Sequence, residues 1–241
     1  ISGPPEKSLA DNSMITKAEV DRGKCTACLK CAGVCPPMAL AASGYEITVG
    51  EAYARIDKDR FFFKKTGGAT ISGGEPMFQF DFSYNLAMRL HEGGINVCLD
   101  TTGFAPAEQY LRILPYVDLF LYDLKHMDSS RHEKLTGVPN GLIHSNARLL
   151  AGHGAALQIR VPVIPKLNDS RENLQKAAEF FAGLGHAVKL VQLLPYHSMG
   201  KSKYVRLGWP YRLNNVEPPD DGFMNEALAL FQNMGLPAKL R

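Results

Sequence analysis

No apolar run in the 241 residues approaches the roughly 20 needed to cross a bilayer, and no segment has the layout of a signal peptide. A cytoplasmic location is therefore expected, with no membrane among the partners. An excess of charge of one sign is also missing. Lys and Arg number 27 against 24 Asp and Glu, a net charge of +3, too balanced for a surface built to bind nucleic acid. Internal repeats and low-complexity segments are absent, which excludes a repeat architecture. Cysteine is nearly absent outside one stretch: four of the five fall in eleven positions. At 45% hydrophobic residues the chain can bury one good core with a small second module beside it. The first residue is Ile, so the sequence is expected to begin downstream of the start of the gene product.

The cysteine stretch reads KCTACLKCAGVCPP and places Cys25, Cys28, Cys31 and Cys35 at spacings of two, two and three, with Pro36 following. So closely spaced a set of thiolates suits an iron-sulfur cluster, and the run has the spacing of the bacterial ferredoxin motif. Disulfides and zinc are the alternatives. Adjacent C-x-x-C pairs in a cytosolic chain disfavour disulfides, and zinc sites usually divide their cysteines into two separated pairs. In two-cluster ferredoxins the fourth cysteine of such a run serves a second cluster, which requires a second run. Only one run is present, so either Cys35 closes a single cluster or part of the cysteine inventory lies outside this chain.

Residues 1–22 are polar, contain Pro4 and Pro5, and read as a surface loop or linker. A helix is expected from Thr48, with Val49, Ala52, Ile56 and Phe61, Phe62 and Phe63 on its buried side. It leads to ATISGGEPMFQ at 69–79, where a short β-branched run ends in two glycines. Those glycines let the backbone turn and approach a ligand with no Cβ in the way. Pro76 keeps Glu75 out of the helical region, so Glu75 is expected extended, with its carbonyl and the Gly74 groups facing outward toward a ligand ammonium. An ordinary strand-to-helix turn is the alternative.

Beyond this turn apolar strands alternate with amphipathic helices. Strands are expected near 69–71, 95–99, 117–121, 157–164 and 188–194, and helices near 80–91, 106–114, 142–151, 171–184 and 223–234. Ser170 caps one helix and Gly185 ends it; Asp220 or Asp221 caps the last, and Gly235 stops it. Repetition at roughly 30 residues per unit gives an α/β fold with a parallel sheet, and five or six units give an open, partial barrel. Two domains are expected: a linker with a small iron-sulfur insert over 1–46, and the partial barrel over 47–241. Cys98, in a strand with no cysteine nearby, is assigned to core packing.

Ligands of parallel α/β folds sit at the C-terminal strand ends. There stand Ser72, Gly73, Gly74 and Glu75, then Asp100, Thr101 and Thr102, then Asp123 and Lys125, then Arg160 within its strand, and finally His197. Singly each is an ordinary loop residue or cap. Five convergent polar ends form a rim able to bind a zwitterionic, polyfunctional cofactor.

Taken together, these motifs resemble one family. The cysteine run, ISGGEPMFQ at 71–79, LDTTG at 99–103, YDLKHMD at 122–128 with His132, Thr136 and Gly137, RVPVIPKLND at 160–169 and LLPYHSMGKSKY at 193–204 form an ordered set. In this set the chain resembles the radical S-adenosylmethionine (SAM) enzymes that activate glycyl radical enzymes, of the pyruvate formate-lyase activase type. The resemblance implies a partial TIM-like barrel of the radical SAM type with a ferredoxin-like 4Fe-4S insert held by Cys25, Cys28, Cys31 and Cys35. It implies that Gly73, Gly74 and Glu75, with Ser72 beside them, bind the methionyl amino group of SAM. Asp100, Thr101 and Asp123 match a monovalent-cation site beside the SAM carboxylate. Lys125, Arg160 and His197 match SAM or substrate contacts, Lys125 and His197 being the candidate catalytic residues. The implied reaction cleaves SAM reductively to methionine and a 5'-deoxyadenosyl radical, which takes a hydrogen atom from a glycine of a partner glycyl radical enzyme. A flavodoxin or ferredoxin-type protein would donate the electron. Lys201, Lys203 and Arg206 are candidates to meet the partner, with a solvated basic loop as the alternative.

The family's defining cluster is held by a C-x-x-x-C-x-x-C motif upstream of the insert, and that motif is not in this sequence. Pro4, Pro5 and Glu6 echo the Asn-Pro-Glu that follows it in relatives. The sequence is therefore expected to begin a few residues downstream of the motif, with residues 7–24 shortened. A second 4Fe-4S cluster is expected only where the motif is present. Without it, the polypeptide is expected to hold one cluster and SAM without generating the radical. The other class of function compatible with the sequence is a non-catalytic iron-sulfur protein serving electron transfer or docking.

Overall fold

The computed structural model describes residues 20–36, 39–42, 44–64 and 67–241, apart from the Arg206 side chain, together with the backbone of two short strands. These strands, β1 (Pro5–Lys7) and β2 (Met14–Thr16), pair antiparallel. The expected linker therefore contains a small hairpin at 5–7 and 14–16. The rest of that expectation, at 1–4, 8–13 and 17–19, lies outside the described residues.

Two compact units make up the chain: residues 1–47 with 202–210, and residues 48–201 with 211–241. The first contains the one-turn helix α1 (Lys30–Gly33) within the cysteine stretch. The second opens on α2 (Val49–Asp57), whose N-cap Thr48 and N3 residue Glu51 form a reciprocal capping box. Val49, Ala52 and Ile56 pack against the core as expected. After it comes α3 (Arg60–Phe63), a single turn that can turn only one of its three phenylalanines inward. Phe63 packs on the core, whereas Phe61 and Phe62 are 87% and 74% exposed, contrary to the expectation that all three are buried.

A six-stranded sheet follows: β3 (Gly68–Ile71), β4 (Asn96–Thr101), β5 (Leu119–Asp123), β6 (Leu157–Val163), β7 (Val188–Pro195) and β8 (Ala238–Leu240). The strands lie in sequential order and every pairing is parallel. Among the described residues β3 and β8 do not pair, so the sheet is the open, partial barrel expected. Between the strands in sequence come α4 (Phe80–Glu92), α5 (Ala107–Ile113), α6 (Ser129–Thr136), α7 (Gly141–Gly152), α8 (Arg171–Ala182), then α9 (Lys201–Leu207), all but the first residue of which belongs to the first unit, and α10 (Asp221–Asn233). Ser170 and Asp220 cap α8 and α10, accepting from the Asn173 and Phe223 amides.

Strand alternation divides the sheet into two faces. On one, Val97, Leu99, Phe120, Tyr122, Leu157, Ile159, Val161 and Val163 are buried beneath helices such as α8 and α10, whose Phe181 and Phe231 rings stack at 5.9 Å. On the other face the half-buried set is Cys98, Asp100, Leu121, Asp123, Gln158 and Arg160. Cys98 thus belongs to the interior polar face and not to the packed core, and burial pushes its thiol pKa up. This face delivers the charged residues of the site.

His144 on α7 gives the helical layer a pH dependence. Its ring lies 4.7 Å from that of Phe180, and its buried Nε2 has no hydrogen-bond partner among the described residues. Burial foremost, then Arg148 and His132, pushes its pKa down to about 4. Above an unfolded value of about 6.5 both states are neutral and stability is full. As pH falls from there toward 4, only the unfolded chain takes the proton, and stability is lost. A loss of about 1–2 kcal/mol is expected between pH 7 and pH 5, reduced by the partial exposure of the ring. Urea midpoints at the two pH values measure it, and His144→Phe should flatten the difference.

Candidate functional site

At the C-terminal end of β3 the chain leaves the sheet through Ser72, Gly73 and Gly74, all exposed. Gly73 has φ +148°, a conformation that favours glycine, and a Cβ built on Gly73 or Gly74 would meet nothing within 4 Å. The backbone here therefore faces open space. Glu75 follows in extended conformation, φ −140° and ψ 112°, as Pro76 dictates.

The Glu75 carboxylate turns back into the protein. Oε1 accepts from the Thr101 hydroxyl at 2.9 Å and the Met77 amide at 3.1 Å; Oε2 accepts from the Thr102 amide at 2.7 Å and hydroxyl at 2.6 Å. Because the Thr101 hydroxyl donates to Glu75, the Tyr110 phenol donates to Thr101 Oγ1, at 2.7 Å. Burial holds that phenol protonated by pushing its pKa well up. Glu75 is thus a strut from the glycine turn to the end of β4; its backbone carbonyl, expected to face a ligand, instead accepts from the Phe78 amide at 3.1 Å as the 3-10 turn begins, and the carbonyls of Gly73 and Gly74 are the ones that accept no hydrogen bond among the described residues. Sequence reasoning placed Glu75, Thr101 and Thr102 on the strand-end rim but gave Thr102 no individual role and overlooked Tyr110. Two consecutive threonines closing a strand were the available signal for the first; for Tyr110, an apolar-looking helix position, there was none.

A second cluster lies on the interior face. Register puts Asp123 beside Arg160 across β5 and β6, with Asp100 one strand further over. The Arg160 guanidinium bridges both acids. Its Nε donates to Asp123 Oδ1 at 2.9 Å, Nη1 to Asp100 Oδ2 at 3.2 Å, and Nη2 to Asp100 Oδ1 and to Asp123 Oδ1. Ser72 Oγ donates to Asp100 Oδ2 at 3.0 Å, tying the glycine turn to the cluster. Lys125 Nζ stands 3.8 Å from Asp123 Oδ2. Burial raises the pKa of Asp123, against the opposing pull of Lys125 and Arg160. For Arg160, burial disfavours the charge, but Asp123 and Asp100 outweigh it and its pKa rises. Two carboxylates against a guanidinium and an ammonium leave the cluster neutral in sum, with Lys125 reaching toward the opening.

Buried asparagines fix the loop that carries Lys125. Asn168 Nδ2 donates to the Lys125 carbonyl at 2.8 Å and the Pro162 carbonyl at 2.6 Å, and Asn140 Nδ2 donates to the carbonyls of His126 and Met127. His197 follows β7, is exposed, and joins neither cluster. Lys201 and Lys203 are exposed on α9; the Arg206 side chain lies outside the described residues. The monovalent cation implied at Asp100, Thr101 and Asp123 finds a different arrangement here, with Arg160 between the aspartates and the Thr101 hydroxyl turned to Glu75 and Tyr110.

In the first unit, Cys25, Cys28, Cys31 and Cys35 are free thiols, the first two exposed. Ala27 and Leu29 between them have φ of 54° and 60°, which curls the backbone and turns amides toward sulfur. The Ala27 amide donates to Cys25 Sγ at 3.4 Å. The Lys30 amide foremost, with the Thr26 side chain, lowers the Cys28 thiol pKa. Donor chemistry and backbone curl therefore suit iron-sulfur ligation. Among the described residues no three His, Cys, Asp or Glu side chains are gathered so as to hold a metal ion. No helix among the described residues is long and apolar enough to cross a membrane.

No family model matches the chain. Among solved structures, it is similar to a radical SAM methyltransferase from Sphaerobacter thermophilus, with TM-score 0.60 and 18% identity over 81% of this chain and 57% of that one. It is also similar to a domain of the pyruvate-formate lyase-activating enzyme from Bacteroides vulgatus, with TM-score 0.62 and 30% identity over 72% of this chain and 98% of that one. The fold is that of the radical SAM enzymes.

Relatives in sequence narrow the class. The chain is 35% identical over 219 residues to the indoleacetate decarboxylase activating enzyme of Tractidigestivibacter scatoligenes, covering 90% of this chain and 69% of that protein. It is 37% identical over 208 residues to the choline trimethylamine-lyase activating enzyme of Oleidesulfovibrio alaskensis, covering 85% and 67%. Identity is 39% over 189 residues to the pyruvate formate-lyase-activating enzyme of Staphylococcus epidermidis, covering 76% and 75%. The chain belongs to the glycyl-radical-enzyme activating enzymes, oxidoreductases that use SAM to place a glycyl radical on a partner enzyme.

Proposed function

We propose that residues 47–241 bind SAM along the strand ends and that residues 1–46 hold a ferredoxin-like 4Fe-4S cluster on Cys25, Cys28, Cys31 and Cys35. The partner is a glycyl radical enzyme, and a flavodoxin or ferredoxin-type protein is the electron donor. The observation that carries this reading is the strut. With both Glu75 carboxylate oxygens spent on Thr101, Thr102 and Met77 and its carbonyl on the Phe78 amide, the turn is held in place with the carbonyls of Gly73 and Gly74 left without a hydrogen bond among the described residues, next to the Asp100, Arg160, Asp123 and Lys125 cluster.

Those carbonyls accept a ligand ammonium, and Lys125 and Arg160 bind its carboxylate. Asp100 and Asp123 hold the two cations in place, Ser72 fixes Asp100, and Thr101 fixes Glu75. His197, at the end of β7, contacts SAM or the substrate. When bound, SAM and reduced iron-sulfur supply one-electron chemistry: cleavage of SAM to methionine, coupled to removal of a hydrogen atom from a glycine. The chain's own part is to bind SAM rigidly and to keep it oriented in a shielded interior.

Anaerobically purified full-length protein tests the reading through iron and sulfide content, EPR of the reduced form without and with SAM, and calorimetric SAM binding. SAM is expected to bind, to alter the spectrum and to yield 5'-deoxyadenosine. Absence of binding together with a spectrum indifferent to SAM would overturn the proposal.

A further inference from the structure

Two tyrosines of the barrel unit are fully buried, and they spend their phenols differently. Tyr122, on β5, donates to a backbone carbonyl, that of Ile143, at 2.7 Å, as most buried polar side chains do. Tyr110, on α5, meets a side-chain hydroxyl instead, that of Thr101, also at 2.7 Å. Thr101 is the residue that carries one oxygen of Glu75.

A hydroxyl has one proton to give and two lone pairs to fill. At Thr101 Oγ1 the Gly103 amide fills one lone pair, at 3.1 Å, and the Tyr110 phenol fills the other. The single proton then has one destination, Glu75 Oε1 at 2.9 Å. With the Met77 amide and both groups of Thr102, this bond gives each Glu75 oxygen two donors. A carboxylate offers about four acceptor sites, so this one is filled and contributes to the site through its orientation. Tyr110, Thr101 and Glu75 form a buried chain in which every donor points the same way, and in a low-dielectric interior each donor strengthens the next. Thr101 is 2% exposed, so no bulk water stands ready to replace a missing member.

We propose that Tyr110 is a positioning residue for SAM: through Thr101 and Glu75, its phenol holds the Gly73 and Gly74 carbonyls in the orientation that receives the ligand ammonium. The inference rests on SAM lying along residues 73–75. Without the phenol, Thr101 keeps only the Gly103 amide to fix its hydroxyl, and the anchor of the turn loosens. The ligand must then order the turn as it binds, and affinity falls by that cost.

The test uses anaerobic full-length protein, with calorimetric SAM binding well below the unfolding transition and Tm measured in parallel. Tyr110→Phe removes only the hydroxyl and is expected to raise the SAM dissociation constant about 3- to 10-fold, with a modest fall in Tm. Tyr122→Phe is the control, because it removes an equally buried phenol whose bond has the same length but does not lead to Glu75. It should lower Tm comparably and leave SAM affinity unchanged. Thr101→Val, which keeps the shape of the side chain, tests the route. It should weaken SAM binding by itself, and in that background Tyr110→Phe should add no further loss. There Tyr110→Phe should also raise Tm, since it removes a phenol left without its partner. An unchanged SAM affinity in Tyr110→Phe overturns the inference, as does equal weakening in Tyr122→Phe, which would make the effect one of general stability. Additive losses in the double variant overturn the route through Thr101. A wild type that binds no SAM fails the underlying proposal instead, before any variant is compared.

Discussion

Gly103→Ala is expected to destabilise the barrel unit by about 2–5 kcal/mol, a fall in Tm of roughly 5–15 °C. Gly103 has φ +81°, where an L side chain costs roughly 1–2 kcal/mol. A Cβ there would also collide with the Tyr122 hydroxyl and ring carbons. Tyr122 is fully buried, and its hydroxyl donates to the Ile143 carbonyl at 2.7 Å, so it has no free direction in which to retreat. Overpacking a site of this kind adds about 1–3 kcal/mol. Gly137→Ala separates the two contributions. Gly137 has φ +90° but open space around its Cβ, so it should show the backbone cost alone. Equal losses in the two variants would remove the collision from the account. The consequence for the site is specific: the Gly103 amide donates to Thr101 Oγ1 at 3.1 Å, and its carbonyl accepts from Asn146. Displacing residue 103 therefore loosens the threonines that hold Glu75, and SAM affinity should fall beyond what partial unfolding explains.

Much of this arrangement was readable from the chain. Apolar runs marked β3 to β7, because strands buried on one face against helices must be nearly continuously apolar there. The missed elements lack that signal. β8 is three residues long, and α6, SSRHEKLT, buries only His132. The Phe61, Phe62 and Phe63 triplet misled because hydrophobicity says nothing of how short a helix will be. At the site, each polar residue was named from its place after an apolar run, but the partnerships were out of reach. Glu75 meets Thr101 and Thr102 across 26 and 27 positions, and Arg160 meets Asp100 across 60. Such pairings follow from sheet order and register, which no local spacing encodes. In the cysteine stretch the case is reversed. Spacing alone suggested Cys25, Cys28, Cys31 and Cys35 as a ligand set, and the fold adds the positive φ of Ala27 and Leu29, which only the folded backbone reveals.

Arg160→Leu is expected to cost about 3 kcal/mol of stability at pH 7, the low end of the range for breaking a buried ion pair. The side chains of Arg160, Asp100 and Asp123 keep 21–23% of their surface exposed, which places them near that low end. Leucine fills part of the volume but leaves two carboxylates facing each other on the interior face, with only Lys125, 3.8 Å from Asp123, to offset them. The pH dependence identifies the cause. Burial already raises the pKa of Asp123, and loss of the guanidinium raises it further. A carboxyl whose folded pKa lies above its unfolded value binds a proton more readily in the folded state, so acidification favours folding through that window. The deficit of Arg160→Leu relative to wild type should therefore shrink between pH 7 and pH 5. A second change, Asp100→Asn, should recover part of it at pH 7 by removing one of the two charges, so the pair of substitutions will not be additive. A deficit that is constant with pH would mean that lost packing, and not the bare carboxylates, accounts for it. SAM affinity discriminates further: the double variant, stabilised but lacking the guanidinium, should still bind SAM weakly if Arg160 contacts the SAM carboxylate. If Arg160 acts only by neutralising its two aspartates, the double variant should regain both stability and affinity.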